Sequence, residues 1–469
     1  MGLPAQRNTT PQQEMETSER CPGRSKAAGG VAQLVYDPGW TRLGERFHAE
    51  FGAPRGLSLQ ACHIGTDATV EMARFLRSQS VSRCLLVTDD NCYRAGGGDV
   101  TRALSAAGVK VSEHRFGAEA FDACERLVDE VACAGTEMDA LVAVGAGTIC
   151  DLAKAAGDEL KRPVVLYPTA ASMNGYTSSI TALKVRGLKR TLPCTPATGI
   201  FANPEHVATA PQRMTAAGVA DFLSKCSSST DWRASNLLLD VPFDPRSREF
   251  FAGIQEKLIA DAPRIGRGEP EAIAVVLEAL LLSGFSMVIA GSSAPASGGE
   301  HLISHYLDMK SALYDMPHDL HGAQVGVATV YCLNLWERIL ALQPEEIDVD
   351  DLLAMQPPDT QVRAWIREDW GAEVGAEVLR QWEAKKMDAA TLRRFLERVR
   401  ARLEQMRQEL PQDMLPATLV AEVISECGGP VEPEKLDAPI AEYRNALSRA
   451  RYIRDRFTVL DLAEDLALK

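Results

Sequence analysis

The 469-residue chain lacks several features that define other classes of protein. None of its 11 cysteines forms a CxxC pair, and their scatter from Cys21 to Cys427 indicates free thiols in a reducing compartment rather than a disulfide or zinc framework. The chain has no dense block of Lys and Arg, and its net charge of -14 argues against a nucleic-acid surface. We therefore expect a cytoplasmic protein with no nucleic-acid partner.

The sequence also lacks a clear membrane signal. Residues 1–30 are polar and have no apolar core of the kind that a secretory signal needs, so we predict a disordered lead there. The most apolar run, residues 272–291, is about long enough to span a bilayer, but it contains Glu278, Ser283 and Ser286. We predict a buried helix of a large helical domain, and no membrane partner.

What the chain does have is two contrasting halves. Between residues 83 and 170, short apolar runs alternate with helical patterns, which is typical of βαβ units in a parallel sheet. From about residue 205 the pattern is almost entirely helical. We predict an α/β fold: a Rossmann-like nucleotide-binding domain (31–204), an all-α metal- and substrate-binding domain (205–469), and an active site in the cleft between them.

A turn of small residues follows one predicted strand in DALVAVGAGTICDLAK, residues 139–154. The strand runs into Gly145, Ala146 and Gly147, and a helix opens at Thr148. Glycines there let the backbone approach a ligand, and the N–H groups of a helix start favour a phosphate. The turn is a candidate pyrophosphate cradle, although many such turns carry glycine for steric reasons alone.

Two other segments could line the same cleft. Asp89 closes the strand LLVTD, where it could bind ribose hydroxyls or could equally cap a helix. The loop YPTAASMNGYTSS, residues 167–179, offers several hydroxyl groups to a polar ligand. Taken alone, this loop is more typical of a surface turn around Asn174 and Gly175.

Four of the eight histidines fall within residues 300–322: His301, His305, His318 and His321. A single histidine on an apolar helix is more often a packed core or surface residue, but a cluster favours metal binding or proton transfer. His301 and His305 lie one helical turn apart, so they share a helix face.

Asp221 lies among apolar residues of another helical segment, residues 215–233. Asp221, His301 and His321 together would give a divalent metal three protein ligands and leave a position open for substrate, as catalytic sites do. His305 would face the same cavity without ligating. His318 has no assigned role.

Six motifs occur in this order along the chain: LLVTDDNCYRAGG, GAGTICDLAK, PTAASMNGYTSS, AAGVADFLSK, GGEHLISH and HGAQVG. Over roughly residues 45–345 the chain resembles the metal-dependent dehydrogenases of the iron-containing alcohol dehydrogenase and dehydroquinate synthase-like superfamily, most closely its sn-glycerol-1-phosphate dehydrogenases. The resemblance implies reversible hydride transfer between dihydroxyacetone phosphate and sn-glycerol 1-phosphate. It further implies NAD or NADP, one divalent metal (zinc, nickel or iron) and a homodimer.

The resemblance assigns roles to individual residues. Asp221, His301 and His321 match the metal ligands of the family, and Asn174, His305 and Asp221 match positions that contact the substrate. The matching cofactor positions, from the adenosine ribose through the pyrophosphate to the nicotinamide, are Asp89, Gly145, Ala146, Gly147, Thr148, Ile149, Thr169, Ser172 and Ser178.

Charge bears on the choice of cofactor and on the substrate. The acidic Asp89 should repel the 2′-phosphate of NADP, which favours NAD. His305, or a water that it holds, would donate the proton that the reduced carbonyl needs. The segment TALKVRGLKR offers cations for a substrate phosphate but could equally be a solvated loop; its basic residues are Lys184, Arg186, Lys189 and Arg190.

Three positions depart from the family pattern. Asn174 stands where Asp is usual, Ala146 replaces the middle glycine of the cradle, and Ala220 replaces a glycine before the metal-binding aspartate. Two alternatives stay open for this reason. The chain could be another polyol or alcohol dehydrogenase, or a dehydroquinate synthase-like enzyme, of the same superfamily. Otherwise it could be a homologue that lost catalysis.

Overall fold

The computed structural model describes residues 59–468, apart from residues 120, 186–187 and 246–251. All described residues fall in one compact unit. The predicted disordered lead, residues 1–30, lies outside the described part of the chain. The domain boundary at residues 204 and 205 stays a prediction.

The strands of the described residues are, in chain order, β1 (Ala61–Ile64), β2 (Arg83–Asp89), β3 (Lys110–Phe116), β4 (Ala140–Gly145), β5 (Val164–Pro168), β6 (Ile180–Val185), β7 (Leu188–Pro193) and β8 (Gly199–Ala202). Six of them form one parallel sheet in the spatial order β1-β8-β5-β4-β2-β3. Every residue of β4 and β5 is buried, as expected for parallel strands covered on both faces.

Five α-helices accompany this sheet: α1 (Ala68–Ser78), α2 (Asp90–Cys92), α3 (Gly98–Ala106), α4 (Glu125–Gly135) and α5 (Gly147–Leu160). A π-helical segment, Tyr93–Gly97, joins α2 to α3. Helix α5 begins directly at the end of β4, so the glycine-rich turn predicted from the sequence lies at the carboxyl edge of the sheet. Ligands of open α/β sheets bind at that edge.

The strands β6 and β7 form a separate antiparallel hairpin, with Lys184 opposite Lys189. The basic segment predicted as a phosphate-binding or solvated loop is therefore mostly strand. Arg186, one of its four predicted cations, lies outside the described residues. Lys184 is paired with Asp122, at 3.4 Å between Nζ and Oδ2.

The rest of the described chain is helical. Its α-helices are α6 (Pro204–Val207), α7 (Gln212–Leu223), α8 (Lys225–Leu239), α9 (Ala252–Ala260), α10 (Ala262–Gly266), α11 (Pro270–Ala290), α12 (Gly299–Tyr314), α13 (His321–Ala341), α14 (Val349–Met355), α15 (Asp359–Trp370), α16 (Glu373–Lys385), α17 (Ala389–Glu409), α18 (Ala417–Glu426), α19 (Ile440–Arg449) and α20 (Val459–Asp465). Short 3-10 helices are Ala294–Ala296, Pro344–Glu346, Leu410–Gln412, Pro433–Lys435 and Ala450–Ile453. The predicted class, a parallel α/β sheet followed by a helical region, is confirmed.

Two buried clusters show how the helical region is organised. One combines a face of the sheet with α7 and α11, through residues such as Leu166, Val219 and Leu280. The other joins α8, α12 and α13 to the last helices of the chain, around Trp336 and Leu460. Helix α7 of the first cluster packs on α13 of the second, so the two clusters adjoin there.

Helix α11 is the one described helix that is long and apolar enough to cross a membrane, judged by length and composition only. Its apolar window, Pro270–Val288, is 72% buried within the fold. This agrees with the buried helix predicted from the sequence.

Candidate active site

Asp221 lies near the end of α7 and is fully buried. Its carboxylate accepts hydrogen bonds from the backbone N–H of Asn174 (2.9 Å) and from the Asn174 side-chain amide (3.2 Å). The ammonium of Lys225, one helical turn further on, is 3.8 Å from Asp221 Oδ1. Burial would raise the pKa of Asp221, but Lys225 and His301 together with His321 hold that pKa below its usual range, so the group is an anion.

Three histidines lie around the Asp221 carboxylate. His301 and His305 lie on α12, and His321 is the first residue of α13. Asp221, His301 and His321 each place a possible ligand atom within 4.8 Å of the others. The ring of His305 stacks on that of His321 with centroids 5.7 Å apart, so His305 borders the cluster.

Hydrogen bonds orient the two histidines that would bind a metal. The Nδ1 of His301 contacts Oε1 of the buried Glu300 at 2.9 Å, and the Nδ1 of His321 contacts the hydroxyl of Ser304 at 3.0 Å. With each Nδ1 engaged, the Nε2 atoms are the ligand atoms available. His301 Nε2 lies 3.6 Å from Asp221 Oδ1. Outer partners of this kind are typical of histidines that bind metals.

This donor set fits a divalent transition metal. It consists of one anionic carboxylate and two imidazoles, each oriented through its Nδ1, which is the set that catalytic sites combine with an open position. His318 is not part of it, because it is exposed and contacts Ser311.

Closely packed helices bring Asp221 and His321 together. A Cβ added at Gly322 would lie 2.0 Å from the carbonyl oxygen of Ala217, and one at Gly326 would lie 2.7 Å from the Cβ of Ala220. The two glycines of HGAQVG therefore let α13 approach α7 at the level of the cluster. Ala220, which departs from the family pattern, has room for its methyl group because Gly326 has no side chain.

Asn174 also departs from the family pattern, and the structure gives its amide a role. Both of its N–H groups donate to Asp221, whereas an aspartate side chain would place a second carboxylate against the first. The third departure, Ala146, is the residue before α5 and has an extended backbone, with φ -95° and ψ -156°. That conformation needs no glycine.

The predicted pyrophosphate cradle lies at the start of α5. Gly145 ends β4, and a Cβ there would lie 2.5 Å from the Cβ of Ile149, so this glycine is required by packing. A Cβ at Gly147 would make ordinary contacts of 3.5 Å with Met173, so packing does not require that glycine. No side chain caps the start of α5, where Thr148 and Ile149 follow, and its first amides can therefore face a phosphate.

Asp89, the predicted ribose ligand, acts as a helix cap. Its carboxylate accepts a hydrogen bond from Cys92 N at 2.8 Å, and the Cys92 thiol donates to the other oxygen at 3.2 Å. This is the capping role that the sequence left open as an alternative. Contact with a ribose stays a prediction.

The loop of residues 167–179, which is rich in hydroxyl groups, has two parts with different contacts. Thr169 follows β5, beside Gly145, and its hydroxyl donates to the Cys92 sulfur at 3.3 Å. Ser172 is half-buried further along the loop. Ser178, also predicted at the nicotinamide end, is buried; its hydroxyl bonds to the carbonyls of Gly175 and Ile180 and lies 3.4 Å from Lys154 Nζ. A structural role of Ser178 was not predicted.

Three residues at this site were not singled out as functional by sequence reasoning. Glu300 orients His301, Ser304 orients His321, and the buried Lys225 neutralises Asp221. Glu300 and Ser304 lie inside the motif GGEHLISH, and Lys225 lies one turn after Asp221, so helical spacing was the available signal.

His305 differs electrostatically from its neighbours. Burial lowers its pKa well below the usual range, and the nearby groups Arg454, His321 and His301 add to this effect. At neutral pH the imidazole is therefore uncharged. A neutral imidazole can pass a proton by accepting at one nitrogen and donating from the other.

The chain is similar to known proteins in sequence and in fold. The family described as iron-containing alcohol dehydrogenase matches residues 63–211. A glycerol-1-phosphate dehydrogenase (NAD(P)+) of Bacillus velezensis is 34% identical over 327 residues, covering 68% of this chain and 80% of that protein. The enzyme of that name from Bacillus licheniformis is 27% identical and covers 88% of this chain and 90% of that protein, so the likeness extends past residue 400.

Solved structures share the fold. The iron-containing alcohol dehydrogenase of Thermococcus thioreducens superposes with a TM-score of 0.56 at 14% identity, over 88% of this chain and 98% of that one. The identity to the Bacillus velezensis enzyme and its coverage are high enough to show common descent. The chain is therefore an oxidoreductase that belongs to the iron-containing alcohol dehydrogenase family.

Proposed function

We propose that this enzyme reversibly transfers a hydride between NAD(P)H and dihydroxyacetone phosphate, and so forms sn-glycerol 1-phosphate and NAD(P)+ with uptake of one proton. The relatives named above carry the name of this activity. The observation that carries the proposal is the convergence of Asp221, His301 and His321 within 4.8 Å of one another. Three such ligands suit a catalytic metal with a position open to substrate.

A divalent metal held by these three side chains would supply a Lewis acid for the substrate oxygen, and the nicotinamide would supply the hydride. Zinc, nickel and iron all suit two imidazoles and one carboxylate. The chain itself contributes orientation, because Asn174 fixes the Asp221 carboxylate and Glu300 fixes the His301 ring. Holding the donors in place beforehand lowers the reorganisation that the reaction requires.

The proton for the reduced oxygen would pass through His305. This imidazole borders the cluster, is uncharged at neutral pH, and is half-buried rather than enclosed. It can therefore give a proton to the substrate from one nitrogen and recover one at the other, directly or through a water.

The cofactor would lie along the carboxyl edge of the sheet. The uncapped start of α5, at Gly147 to Ile149, would receive its pyrophosphate, and Thr169 would stand toward the nicotinamide end. Asp89 would face the adenosine ribose. Its negative charge favours NAD over NADP. A homodimeric, cytoplasmic enzyme remains part of this proposal.

The test is oxidation of NADH and of NADPH by metal-loaded protein with dihydroxyacetone phosphate, followed by absorbance. Matched reactions contain unphosphorylated dihydroxyacetone, or a chelator. The proposal expects turnover of the phosphorylated ketone that the chelator abolishes and added metal restores. Preference for the unphosphorylated ketone would instead indicate an alcohol dehydrogenase of the same family, and turnover unaffected by the chelator would refute the metal site.

A further inference from the structure

Arg454 is a partly buried cation for which the described residues provide no hydrogen-bond acceptor and no ion-pair partner. Two neighbouring arginines, in contrast, do have partners. Arg451 pairs with Asp461 and Asp465, and Arg456 donates to the Ser293 hydroxyl at 3.0 Å. Burial lowers the pKa of Arg454, with only the adjacent Asp455 opposing that effect.

The backbone around Arg454 is fixed against the helix that carries the histidines. The 3-10 helix Ala450–Ile453 packs on α12, and Arg454 follows it directly in an extended conformation. Two residues later, Arg456 bonds to the carbonyl of Ser297, just before α12 begins. Arg454 is therefore held beside α12, and its positive charge reaches His305.

A partly buried guanidinium without a counter-ion is unfavourable, and an anionic ligand would supply the missing opposite charge. The planar fork of arginine matches the oxygens of a phosphate, to which it can donate two parallel hydrogen bonds. The arrangement also suits a short ketone phosphate. The metal ligand His301, then His305 about 6 Å further along α12, then Arg454 beside that helix would follow a three-carbon chain from carbonyl to phosphate.

We propose that Arg454 binds the phosphate group of the substrate and thereby sets the preference for a phosphorylated ketone. This inference rests on the proposed function. It takes the place of the basic hairpin as the main phosphate ligand, because Lys184 of that hairpin already has Asp122 as a counter-ion. It also gives the C-terminal segment a place in the active site.

The test compares Arg454→Gln, Arg454→Lys and, as a matched control, Lys184→Gln. For each, kcat/KM is measured with dihydroxyacetone phosphate and with dihydroxyacetone. Loss of a buried charged contact should lower the ratio of the two values about 100-fold in Arg454→Gln. Arg454→Lys should retain part of this preference for the phosphorylated ketone, since lysine keeps the positive charge but lacks the planar guanidinium. In Lys184→Gln the ratio should stay within about threefold of the wild-type ratio. An unchanged ratio in Arg454→Gln, in protein with a wild-type circular dichroism spectrum, would overturn the proposal.

A binding measurement separates this proposal from the proposed function. Inorganic phosphate is titrated calorimetrically into metal-loaded wild type and Arg454→Gln. If wild type turns over no phosphorylated ketone, the proposed function fails. Arg454 is nevertheless a phosphate ligand if phosphate binds wild type at least about tenfold more tightly than the variant. Equal affinities, or no binding to either protein, would refute the role of Arg454.

Discussion

His301 occupies the centre of the cluster, between the carboxylate of Asp221 and the carboxylate of Glu300. We expect His301→Ala to remove metal and activity together, with a loss of metal affinity beyond the 10- to 100-fold typical of a lost outer partner. The fold should survive because Asp221 keeps Lys225 as a counter-ion, and Glu300 keeps hydrogen bonds from Ser227 and the Gly298 amide. Metal content by mass spectrometry and the circular dichroism spectrum check this, and full activity in metal-free variant protein would contradict it.

Asp221 needs a gentler substitution than alanine. Its carboxylate faces the fully buried Lys225, and removing one partner of a buried pair destabilises a protein by about 3–5 kcal/mol. Asp221→Asn also removes the negative charge, but it keeps the shape and one acceptor oxygen near Lys225, so it is the better partner experiment to His301→Ala.

Glu300 is a positioning residue, since it contacts His301 rather than the reacting atoms. Glu300→Gln keeps the volume but weakens the bond to His301 Nδ1, so we expect metal affinity to fall about 10-fold. Saturating metal should restore most of the activity, which a purely structural defect would not allow. The control is Glu422→Gln, at an exposed position. An unchanged metal dissociation constant in Glu300→Gln would show that the contact is dispensable.

Asp465 gives the protein a defined pH dependence. Burial raises its pKa from 3.8 to about 6, with Arg451 partly opposing and Asp461 adding to the effect. Between those two values the folded state binds more protons than the unfolded state, so stability falls as pH rises, by roughly 3 kcal/mol in total. Denaturant unfolding at pH 4 and pH 7 should show this decrease in wild type and a smaller one in Asp465→Asn. Equal decreases in the two proteins would contradict it.

At the scale of elements, the crossing of α7 and α13 determines whether Asp221 and His321 can share a ligand. We expect Gly322→Ala to lower the free energy of unfolding by about 3 kcal/mol or more, because its methyl group would overlap the Ala217 carbonyl. Metal affinity should fall as well, since the helices must separate.

The matched control for that prediction is Gly375→Ala, also within a helix. A Cβ there would be 3.5 Å from its nearest neighbour, the Ile366 carbonyl oxygen. Helix propensity alone should then apply, which makes the change neutral or stabilising by up to about 1 kcal/mol. Equal effects of the two substitutions would show that the close crossing is unimportant.

The elements also show what the sequence could and could not predict. β2, β4 and β5 were predictable because each is an apolar run beside a helical pattern, whereas the mostly polar β3 was predictable from its place between two helical patterns. β1 and β8 were missed because each has four residues, and their pairing joins segments more than 130 residues apart. The hairpin of β6 and β7 was interpreted as a loop because its charged residues suggested solvent.

Within the site, too, local pattern predicted some residues, whereas others depend on long-range packing. Helical spacing and residue chemistry indicated Asp221, His301 and His321, which the structure brings together. Arg454 could not be found that way, because its place beside α12 depends on how the C-terminal segment folds back across about 150 residues. Burial of a charged side chain, as in Lys225, likewise follows from tertiary packing and not from local pattern.

At the scale of the whole molecule, the buried side chain of Asp231 links the C-terminal segment to the active site through hydrogen bonds. Asp231 on α8 accepts hydrogen bonds from Gly299 N at 2.8 Å, Trp336 Nε1 at 2.9 Å and Val459 N at 3.1 Å. These donors belong to the start of α12, to α13 and to the start of α20. The histidine helix and the segment that carries Arg454 are therefore fixed to a common point.

Removing the Asp231 carboxylate should loosen both α12 and the segment that carries Arg454. Asp231→Ala leaves three buried donors without an acceptor, each worth about 1–3 kcal/mol, so we expect a loss of about 3–5 kcal/mol in the free energy of unfolding. Asp231→Asn, which keeps one acceptor oxygen, should lose less. Hydrogen exchange should also rise at Val459 in the alanine variant, because its amide is then unbonded. Since Arg454 lies five residues before Val459, the preference for phosphorylated ketone should weaken in parallel with that exchange. A variant whose exchange rises while its preference is unchanged would show that Arg454 is positioned by the contacts of Arg456 alone.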